Sequence, residues 1–395
     1  MPKKLFEVDV NKKADDQKLK PHNRWHPEIP AVASVEQGDV FRVECLDWTD
    51  GQISNNDDPS DIDKVDLNRV HVLSGPFHIN GAEPGDLLVV DILDIGTLPD
   101  SEWGFTGIFS RENGGGFLTD HFPEAQKACW DFHGIYARSR HIPNVEYAGI
   151  THPGLIGTAP SQELLDEWNR RENELLSTDP HRVPPLVAPQ GPTSAILGEL
   201  KKGPTWDKVA KEGARTVPPR ENGGNCDIKN LSRGSRVFFP VFVEGANLSL
   251  GDLHFSQGDG EITFCGAIEM AGWADLRCYV IKGGMEKYNI KNNPMFMPGP
   301  VEPRYSEFLV FEGVSVSEDG KQHYLDPFIA YQRACLNAID YLKTLGYTGQ
   351  QAYFILGTAP VEGRISGIVD IPNACCTIYV PKEIFKFDVL PKLDN

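Results

Sequence analysis

Residues 251–261, GDLHFSQGDGE, place an acid and a histidine two positions apart. In an extended strand successive side chains point to opposite faces, so Leu253 and Phe255 share one face while Asp252 and His254 share the other. The apolar face suits a core. The other face carries a carboxylate and an imidazole that are close enough to bind one ligand.

A glycine-rich turn follows this predicted strand. Gly258 and Gly260 can adopt backbone conformations that other residues avoid, so they favour a tight turn. Such a turn would bring Asp259 and Glu261 back toward the end of the strand. The alternative interpretation is that both acids belong to a solvated turn.

The elements that must position these residues are predicted to be mostly strands. Short runs rich in Val, Ile, Phe and Leu recur between clusters of Gly, Pro, Asn and Asp. Two runs, 38–48 and 85–95, match in register and predict two versions of one element. Further strands are predicted at 235–244, 262–269, 277–283, 308–314 and 352–357. We therefore expect a mostly β protein with some α (α+β), with packed β-sheets or a β-sandwich core and peripheral helices.

Two helices are predicted. Asp326 is a suitable N-cap, Pro327 fits the first helical position, and Gly346 would end the helix. A second helix can begin at Ser161 and would bury Leu164, Leu165, Trp168 and Leu175. The following proline-rich residues are irregular, so 161–220 is interpreted as an insertion over the surface or a site entrance, within a single domain spanning 1–395.

Composition limits the classes of partner. The chain has 395 residues and a formal net charge of -18 without a cluster of Lys and Arg, which argues against nucleic acid and anionic membranes. A small neutral or cationic substrate fits better. The first residues lack an apolar run after the lysines and no segment approaches a membrane span, so a cytoplasmic location is expected. The eight cysteines form no CxxC pair, which predicts reduced, packed thiols.

Residues 221–272 contain the motifs GGNxD, VxVEG and GDxHxxxGDGE in this order. Their order and spacing resemble the acetamidase/formamidase family of metal-associated amide hydrolases. The sequences CLDW, NGAEPGD (80–86) and HPGLIGTAP (152–160) extend the resemblance over nearly the whole chain. The insertion at 161–220 and the segment 104–132 resemble the formamidase branch. The resemblance implies hydrolysis of a small amide, formamide first, to formate and ammonia, by a homo-oligomer.

The chemistry of amide hydrolysis supports a metal. An unactivated amide requires a strong nucleophile and stabilisation of the oxyanion, and a bound divalent metal can supply both. Asp252 and His254, with Asp47 from another strand, give a nitrogen and oxygen ligand set suited to zinc. Alternatively, Asp252 and His254 form a hydrogen-bonded surface pair, and Asp47 accepts backbone hydrogen bonds or pairs with an arginine.

The candidates for the general base lie in residues 221–272, which carry the resemblance. Glu269 is the first candidate and Asp227 the second, while Asn225 could orient or stabilise the substrate oxygen. His133 is a further candidate for substrate binding, and His152 is a further candidate ligand or acid. The structural alternatives are that Glu269 bonds an arginine at a subunit interface and that Asp227 caps the turn after NGGN.

Two other functions stay open. A cysteine-nucleophile amidase would use Cys265 or Cys226, but Cys265 lies in an apolar strand without a neighbouring base and Cys226 has no evident histidine. A non-catalytic protein that binds small amides would keep the scaffold without turnover. For an enzyme, the insertion could narrow the pocket, so formamide is expected to be preferred over acetamide.

Overall fold

Two large β-sheets make up most of the fold. The computed structural model describes residues 2–178 and 192–392. The strands are β1 (Lys3–Phe6), β2 (Arg24–Trp25), β3 (Ala33–Val35), β4 (Val40–Cys45), β5 (Leu73–Ile79), β6 (Leu87–Thr97), β7 (Trp103–Ile108), β8 (Gln126–His133), β9 (Tyr136–Ser139), β10 (Tyr147–Ala148), β11 (His152–Gly157), β12 (Ala214–Arg215), β13 (Pro219–Arg220), β14 (Gly223–Asn225), β15 (Arg236–Pro240), β16 (Leu248–Gln257), β17 (Phe264–Met270), β18 (Gly272–Ile281), β19 (Met295–Met297), β20 (Phe308–Val314), β21 (Glu362–Gly367) and β22 (Cys375–Pro381).

Six helices lie between the strands in the described sequence, and the two longest have 17 and 18 residues. They are α1 (Ser60–Asp63), α2 (Gln162–Thr178), α3 (Pro204–Glu212), α4 (Gly284–Tyr288), α5 (Pro327–Thr344) and α6 (Gly349–Thr358). The predicted mostly β architecture with some helix is confirmed. None of the helices in the described part of the chain is long and apolar enough to cross a membrane.

The first sheet has six strands in the order β1-β4-β18-β6-β15-β19. The two matching runs that predict related strands are β4 and β6, and they pair antiparallel with the two edges of β18. The second sheet follows the order β10-β9-β8-β7-β17-β16-β11-β14-β13, with β5 also paired to β16. One hydrophobic core contains side chains from both sheets, including Val43 and Val90 from the first and Leu250 and Leu253 from the second.

Strand β16 is buried along its whole length. It pairs with β17, β11 and β5, so it lies inside the second sheet rather than at an edge. The alternative that Asp252 and His254 form a surface pair is therefore wrong, since Asp252 is 3% and His254 0% exposed. The polar residues of β16 must find partners inside the protein.

The helix predicted after Asp326 is confirmed as α5, and the Asp326 side chain accepts hydrogen bonds from the backbone N–H groups of Phe328 and Ile329. The strand predicted at 352–357 is wrong, because these residues form α6. Thr348 and Gln351 make a capping box that starts this helix. Residues 352–357 are all buried, so their apolar run has no period that separates helix from strand.

The helix predicted from Ser161 is observed as α2. Leu165 and Trp168 are fully buried, and the Trp168 indole donates to Glu221 Oε2 at 2.7 Å. The predicted burial of Leu175 is wrong, since it is 53% exposed near the end of the helix. The proline-rich residues 179–191 lie outside the described residues.

Candidate functional site

Adjacent strands bring a histidine and two carboxylates together. Strand pairing places His254 of β16 directly opposite Glu269 of β17, and Asp252 lies two residues before His254. His254 Nε2 lies 2.9 Å from Glu269 Oε2 and 3.3 Å from Asp252 Oδ1. All three side chains are buried. Asp252 has a φ of 53°, which departs from the extended geometry of a regular strand.

Two further carboxylates join this cluster. Asp227 and Glu261 form a second group with His254, and the possible ligand atoms of each group lie within 4.8 Å of one another. The predicted turn does bring Glu261 to the strand end, whereas Asp259 turns away to an ion pair with Lys229. Within residues 2–178 and 192–392, His254 is the only basic side chain in ion-pair contact with the four carboxylates of the cluster.

Burial and crowding change the protonation of these acids. Burial raises the pKa of Glu269 to about 8 and the pKa of Asp227 to about 7, and the Asp252 charge adds to both increases. Burial also raises the pKa of Glu261 well above its usual value. Burial also disfavours the charged form of Asp252. The attraction of the neighbouring His254 is the larger effect, and it lowers the pKa of Asp252 to about 2. The cluster therefore needs protons or a cation to balance its charge.

The hydrogen bonds of His254 show which ring nitrogen faces the acids. Its Nδ1 lies 3.0 Å from Gln257 Oε1 and 3.2 Å from His152 Nε2. The His152 Nδ1 contacts the carbonyl of Ile150, an acceptor, at 2.7 Å, so His152 Nε2 is left as an acceptor. Both neighbours of His254 Nδ1 are thus acceptors, and Nδ1 carries the proton. The pKa of His152, lowered by burial to about 3, agrees with a neutral ring.

His254 Nε2 is consequently the atom that points at the carboxylates. Although Nε2 and Glu269 Oε2 are close, neither atom has a hydrogen-bond partner of acceptable geometry among the described residues. A nitrogen lone pair that faces two carboxylates is unfavourable unless a proton or a metal ion lies between them. Gln257 and His152 orient the ring in the way that outer partners orient metal-ligating histidines. The donor set therefore fits a bound cation.

Three carboxylates of the cluster, Asp252, Glu261 and Glu269, line a cavity of about 320 Å³. The residues that line it are Trp48, Leu67, Val70, His71, Gly114, Gly116, Phe117, Arg215, Val217, Asn225, Asp252, Gly260, Glu261, Phe264 and Glu269. Six of these residues are aromatic or aliphatic, six are polar or charged, and three are glycines. That combination is typical of a small-molecule site.

Three further predicted residues occupy different places. Asn225 lines the cavity, and its Nδ2 donates to the Val217 carbonyl at 3.0 Å while its Oδ1 has no partner in the described part of the chain. Asp47 does not join the cluster: its carboxylate accepts from the backbone N–H groups of Thr49 and Gly51 at 2.9 and 3.1 Å. The structure therefore favours the backbone-bonded alternative for Asp47 over metal ligation.

His133 is exposed at the end of β8, where a tight turn leads into β9, and it does not line the cavity. A role for His133 in binding substrate inside this cavity is therefore wrong. The histidine that does line the cavity is His71, which sequence analysis missed. It packs on the Trp48 ring at 5.1 Å, and burial lowers its pKa to about 4, so it is neutral at pH 7.

The cysteines support packed thiols. All eight are free. The expectation that Cys265 has no neighbouring base is wrong, since its Sγ lies 3.8 Å from Glu269 Oε1. Burial nevertheless raises the pKa of Cys265 well above its usual value and that of Cys226 to about 12, so neither is a thiolate at neutral pH.

The sequence motifs gave no signal for Arg215, Gln257 or His71. Arg215 and His71 come from β12 and from the segment before β5, far in sequence from the acids that they face. Gln257 lies between the two recognised halves of GDxHxxxGDGE, at a position where the motif admits any residue. Only the three-dimensional arrangement shows that these side chains belong to the site.

The fold and the site define a class of protein: a β-rich enzyme with a buried histidine–carboxylate cluster in the wall of a small cavity. The comparisons with known proteins give the family. The chain belongs to the acetamidase/formamidase family, whose model matches residues 7–387.

Similar proteins match over almost the whole chain. A formamidase of Methylophilus methylotrophus is 64% identical over 393 residues, covering 100% of this chain and 96% of the relative. An acetamidase of Mycolicibacterium smegmatis is 60% identical over 371 residues, covering 92% of this chain and 91% of the relative. The solved structure of a gamma lactamase from Delftia acidovorans is 60% identical with a TM-score of 0.96, and the match covers 99% of this chain and 95% of that chain.

Proposed function

We propose that this chain is an amidohydrolase that cleaves small amides to a carboxylic acid and ammonia, with formamide among its substrates. The observation that carries the proposal is the cluster of His254 and four carboxylates, three of which line a cavity of about 320 Å³. The 64% identity of this chain with a formamidase over its whole length supports formamide as a substrate. We further propose that residues 1–395 form one catalytic domain.

We propose that a divalent cation binds between His254 Nε2, Asp252 and Glu269. One imidazole and two carboxylates make a nitrogen and oxygen donor set suited to zinc. A bound divalent cation would lower the pKa of a water molecule and polarise the amide carbonyl. This places Glu269 among the ligands rather than as the general base.

Asp227 and Glu261 then remain as candidates to accept the proton of the water. Asp227 lies beside His254, and its Oδ1 has no hydrogen-bond partner among the described residues, so this oxygen is free to accept a proton. Glu261 lines the cavity directly. We propose Asp227 as the base and Glu261 as the group that holds a proton beside the substrate.

Asn225 is proposed to bind the amide nitrogen of the substrate. Its Nδ2 already donates to the Val217 carbonyl, which leaves Oδ1 as an acceptor without a partner in the described part of the chain. An acceptor matches the N–H of an amide rather than its carbonyl oxygen. The expected contact of Asn225 with the substrate oxygen is therefore revised.

Lactams form a second candidate substrate class. A cavity of about 320 Å³ falls in the range that holds drug-sized ligands, whereas formamide has only three heavy atoms. The similarity to the structure of a gamma lactamase, with a TM-score of 0.96, is consistent with a cavity of that volume. A preference for formamide over acetamide, a cytoplasmic location and a homo-oligomeric state stay predictions.

The experiment is ammonia release from formamide and acetamide, together with ring opening of a simple γ-lactam, each before and after treatment with a chelator. We expect turnover of the linear amides, loss of turnover after chelation and its return with Zn²⁺. Absence of turnover on all three substrates by metal-loaded protein would reject the amidohydrolase in favour of a binding protein. Turnover that resists chelation but is lost on thiol alkylation would reject the cation in favour of a cysteine nucleophile.

A further inference from the structure

Two buried arginines lie side by side, and one of them, Arg215, lines the cavity. Arg24 of β2 and Arg215 of β12 face each other as cross-strand partners in a two-stranded ladder. Both are 0% exposed. Neither makes an ion pair with a carboxylate within residues 2–178 and 192–392, which is unusual because buried charges are normally paired.

The hydrogen bonds of these arginines are incomplete. Arg215 donates from Nη2 to the Leu67 carbonyl, but its Nε and Nη1 have no partner among the described residues. Arg24 donates from Nη1 to the Asn23 carbonyl at 2.9 Å, and its Nε and Nη2 likewise have none there. Unmade hydrogen bonds of a buried charged group are destabilising, so these N–H groups require a partner such as water, an ion or a ligand.

A neighbouring arginine shows that the fold can satisfy such a group. Arg220 is 3% exposed and donates to Glu172 through Nε and Nη2 at 2.7 and 2.8 Å. Its Nη1 also donates to the backbone carbonyl of Arg215 at 2.6 Å, which holds β12 in place. The unpaired state of Arg215 is therefore a local feature and not a general property of this region.

Arg215 lines the same cavity as Asp252, Glu261 and Glu269. Burial lowers the pKa of Arg215 only to about 10, so its guanidinium is charged at neutral pH. His71, which lines the cavity as well, is neutral and its Nδ1 contacts the Thr216 hydroxyl at 3.4 Å. The cavity is thus polarised, with carboxylates in one part of its wall and an unpaired guanidinium in another.

We infer that Arg215 forms an anion subsite in this cavity and that its ligand is a small carboxylate, namely the acid that amide hydrolysis releases. This inference rests on the proposed function, since that reaction turns a neutral acyl group into a carboxylate next to acidic side chains. A guanidinium recognises a carboxylate by charge and by hydrogen bonds. Arg24, the cross-strand partner of Arg215, does not line the cavity but adds positive charge next to Arg215.

The inference predicts that small carboxylates bind the protein and compete with amides. Acetate binding to the metal-loaded protein is measured by calorimetry, and acetate inhibition of amide turnover is measured in parallel. We expect Arg215→Gln to weaken acetate binding about tenfold to hundredfold, as for loss of a charged hydrogen-bonding partner, and to weaken acetate inhibition by the same factor. Arg215→Lys should bind acetate with intermediate affinity.

The matched control is Arg233→Gln, an arginine that is half exposed, pairs with Asp94 and does not line the cavity. It should bind acetate as the unmodified protein does. Should Arg215→Gln fail to fold, Arg215→Lys carries the test, since it keeps the positive charge and removes only the fork of N–H donors. Unchanged acetate affinity in the folded Arg215 variants would mean that acetate binds through the cation alone, and it would overturn the inference.

The result also separates the inference from the proposed function. If acetate binds with the expected dependence on Arg215 but no amide is hydrolysed, the anion subsite stands and the amidohydrolase is rejected. If amides are hydrolysed while acetate neither binds nor inhibits, the amidohydrolase stands and the anion subsite is rejected.

Discussion

A single methyl group added at Gly154 should disrupt the cation site. Gly154 lies on β11 next to β16, and a Cβ at this position would meet His254 Cε1 at 2.5 Å, with Asp252 Oδ2 and His254 Nε2 both at 2.8 Å. The backbone of Gly154 is not in the left-handed region, so alanine is allowed there. The effect of Gly154→Ala is therefore steric and is directed at two candidate ligands.

The size of the effect follows from these distances. Carbon atoms in favourable contact lie about 3.5–4.0 Å apart, so the His254 ring must move by roughly 1 Å. A displacement of about 1 Å at reacting groups can lower the rate about 100-fold. Inserting a methyl group into a packed interior typically costs about 1–3 kcal/mol of stability. We expect Gly154→Ala to fold, to bind less metal and to lose about 100-fold in kcat.

The control is Gly157→Ala, three residues further along the same strand. Its Cβ would meet Asn222 O and Gly224 N at 2.8 Å, so it is also overpacked, but against backbone away from the ligands. Metal content per chain, ammonia release and urea unfolding are measured for both variants. The control should lose stability and keep its metal. Normal metal content and turnover in folded Gly154→Ala would refute the assignment of Asp252 and His254 as ligands.

Three further predictions concern the ligands, the thiols and pH. Asp252→Asn and His254→Ala should each lower the bound metal and abolish most of the turnover. Leu253→Ala should keep the metal but lower the free energy of unfolding in urea by about 2–5 kcal/mol, because it opens a cavity in the core. Equal metal content in all three variants would contradict this prediction. Cys265→Ala should retain substantial turnover, since its buried thiol has a pKa well above its usual value, and complete inactivity of the folded variant would instead indicate a nucleophilic cysteine. Burial lowers the pKa of His22 from 6.5 to about 4, so the unfolded chain binds more protons between these values. The contribution of a neutral His22 to stability is complete above pH 6.5, and roughly 3 kcal/mol of it is lost as the pH falls toward 4. The free energy of unfolding of His22→Gln, measured in urea, should therefore depend less steeply on pH between 4 and 6.5. A slope equal to that of the unmodified protein would refute this prediction.

Local patterns predicted the part of the site that is local in sequence. The alternation around Asp252 and His254 predicted a strand, the following glycines predicted a turn, and the structure has both. Asp47 shows the limit of this reasoning. A carboxylate at the end of an apolar strand face needs partners, but sequence does not show whether they are a metal or backbone N–H groups.

Other features had no local signal. Residues 352–357 are buried on all sides, and without an exposed face neither a helical nor a strand period can be detected. Arginine is ordinarily a surface residue. Arg215 is buried because β12 pairs with β2, which is distant in sequence. What could be predicted was therefore the hairpin with its acids, and what could not was the set of side chains that other segments bring to it.

The separation of these partners along the chain has a consequence for the order of folding. His254 and Glu269 meet across 15 residues of chain, whereas Arg24 and Arg215 meet across 191. Since the entropy of closing a loop grows with the logarithm of its length, the second contact costs roughly 2 kcal/mol more to form than the first. The acidic part of the cavity can therefore assemble before the arginines arrive. A divalent cation that binds these carboxylates would stabilise the hairpin at that stage, because it offsets their mutual repulsion.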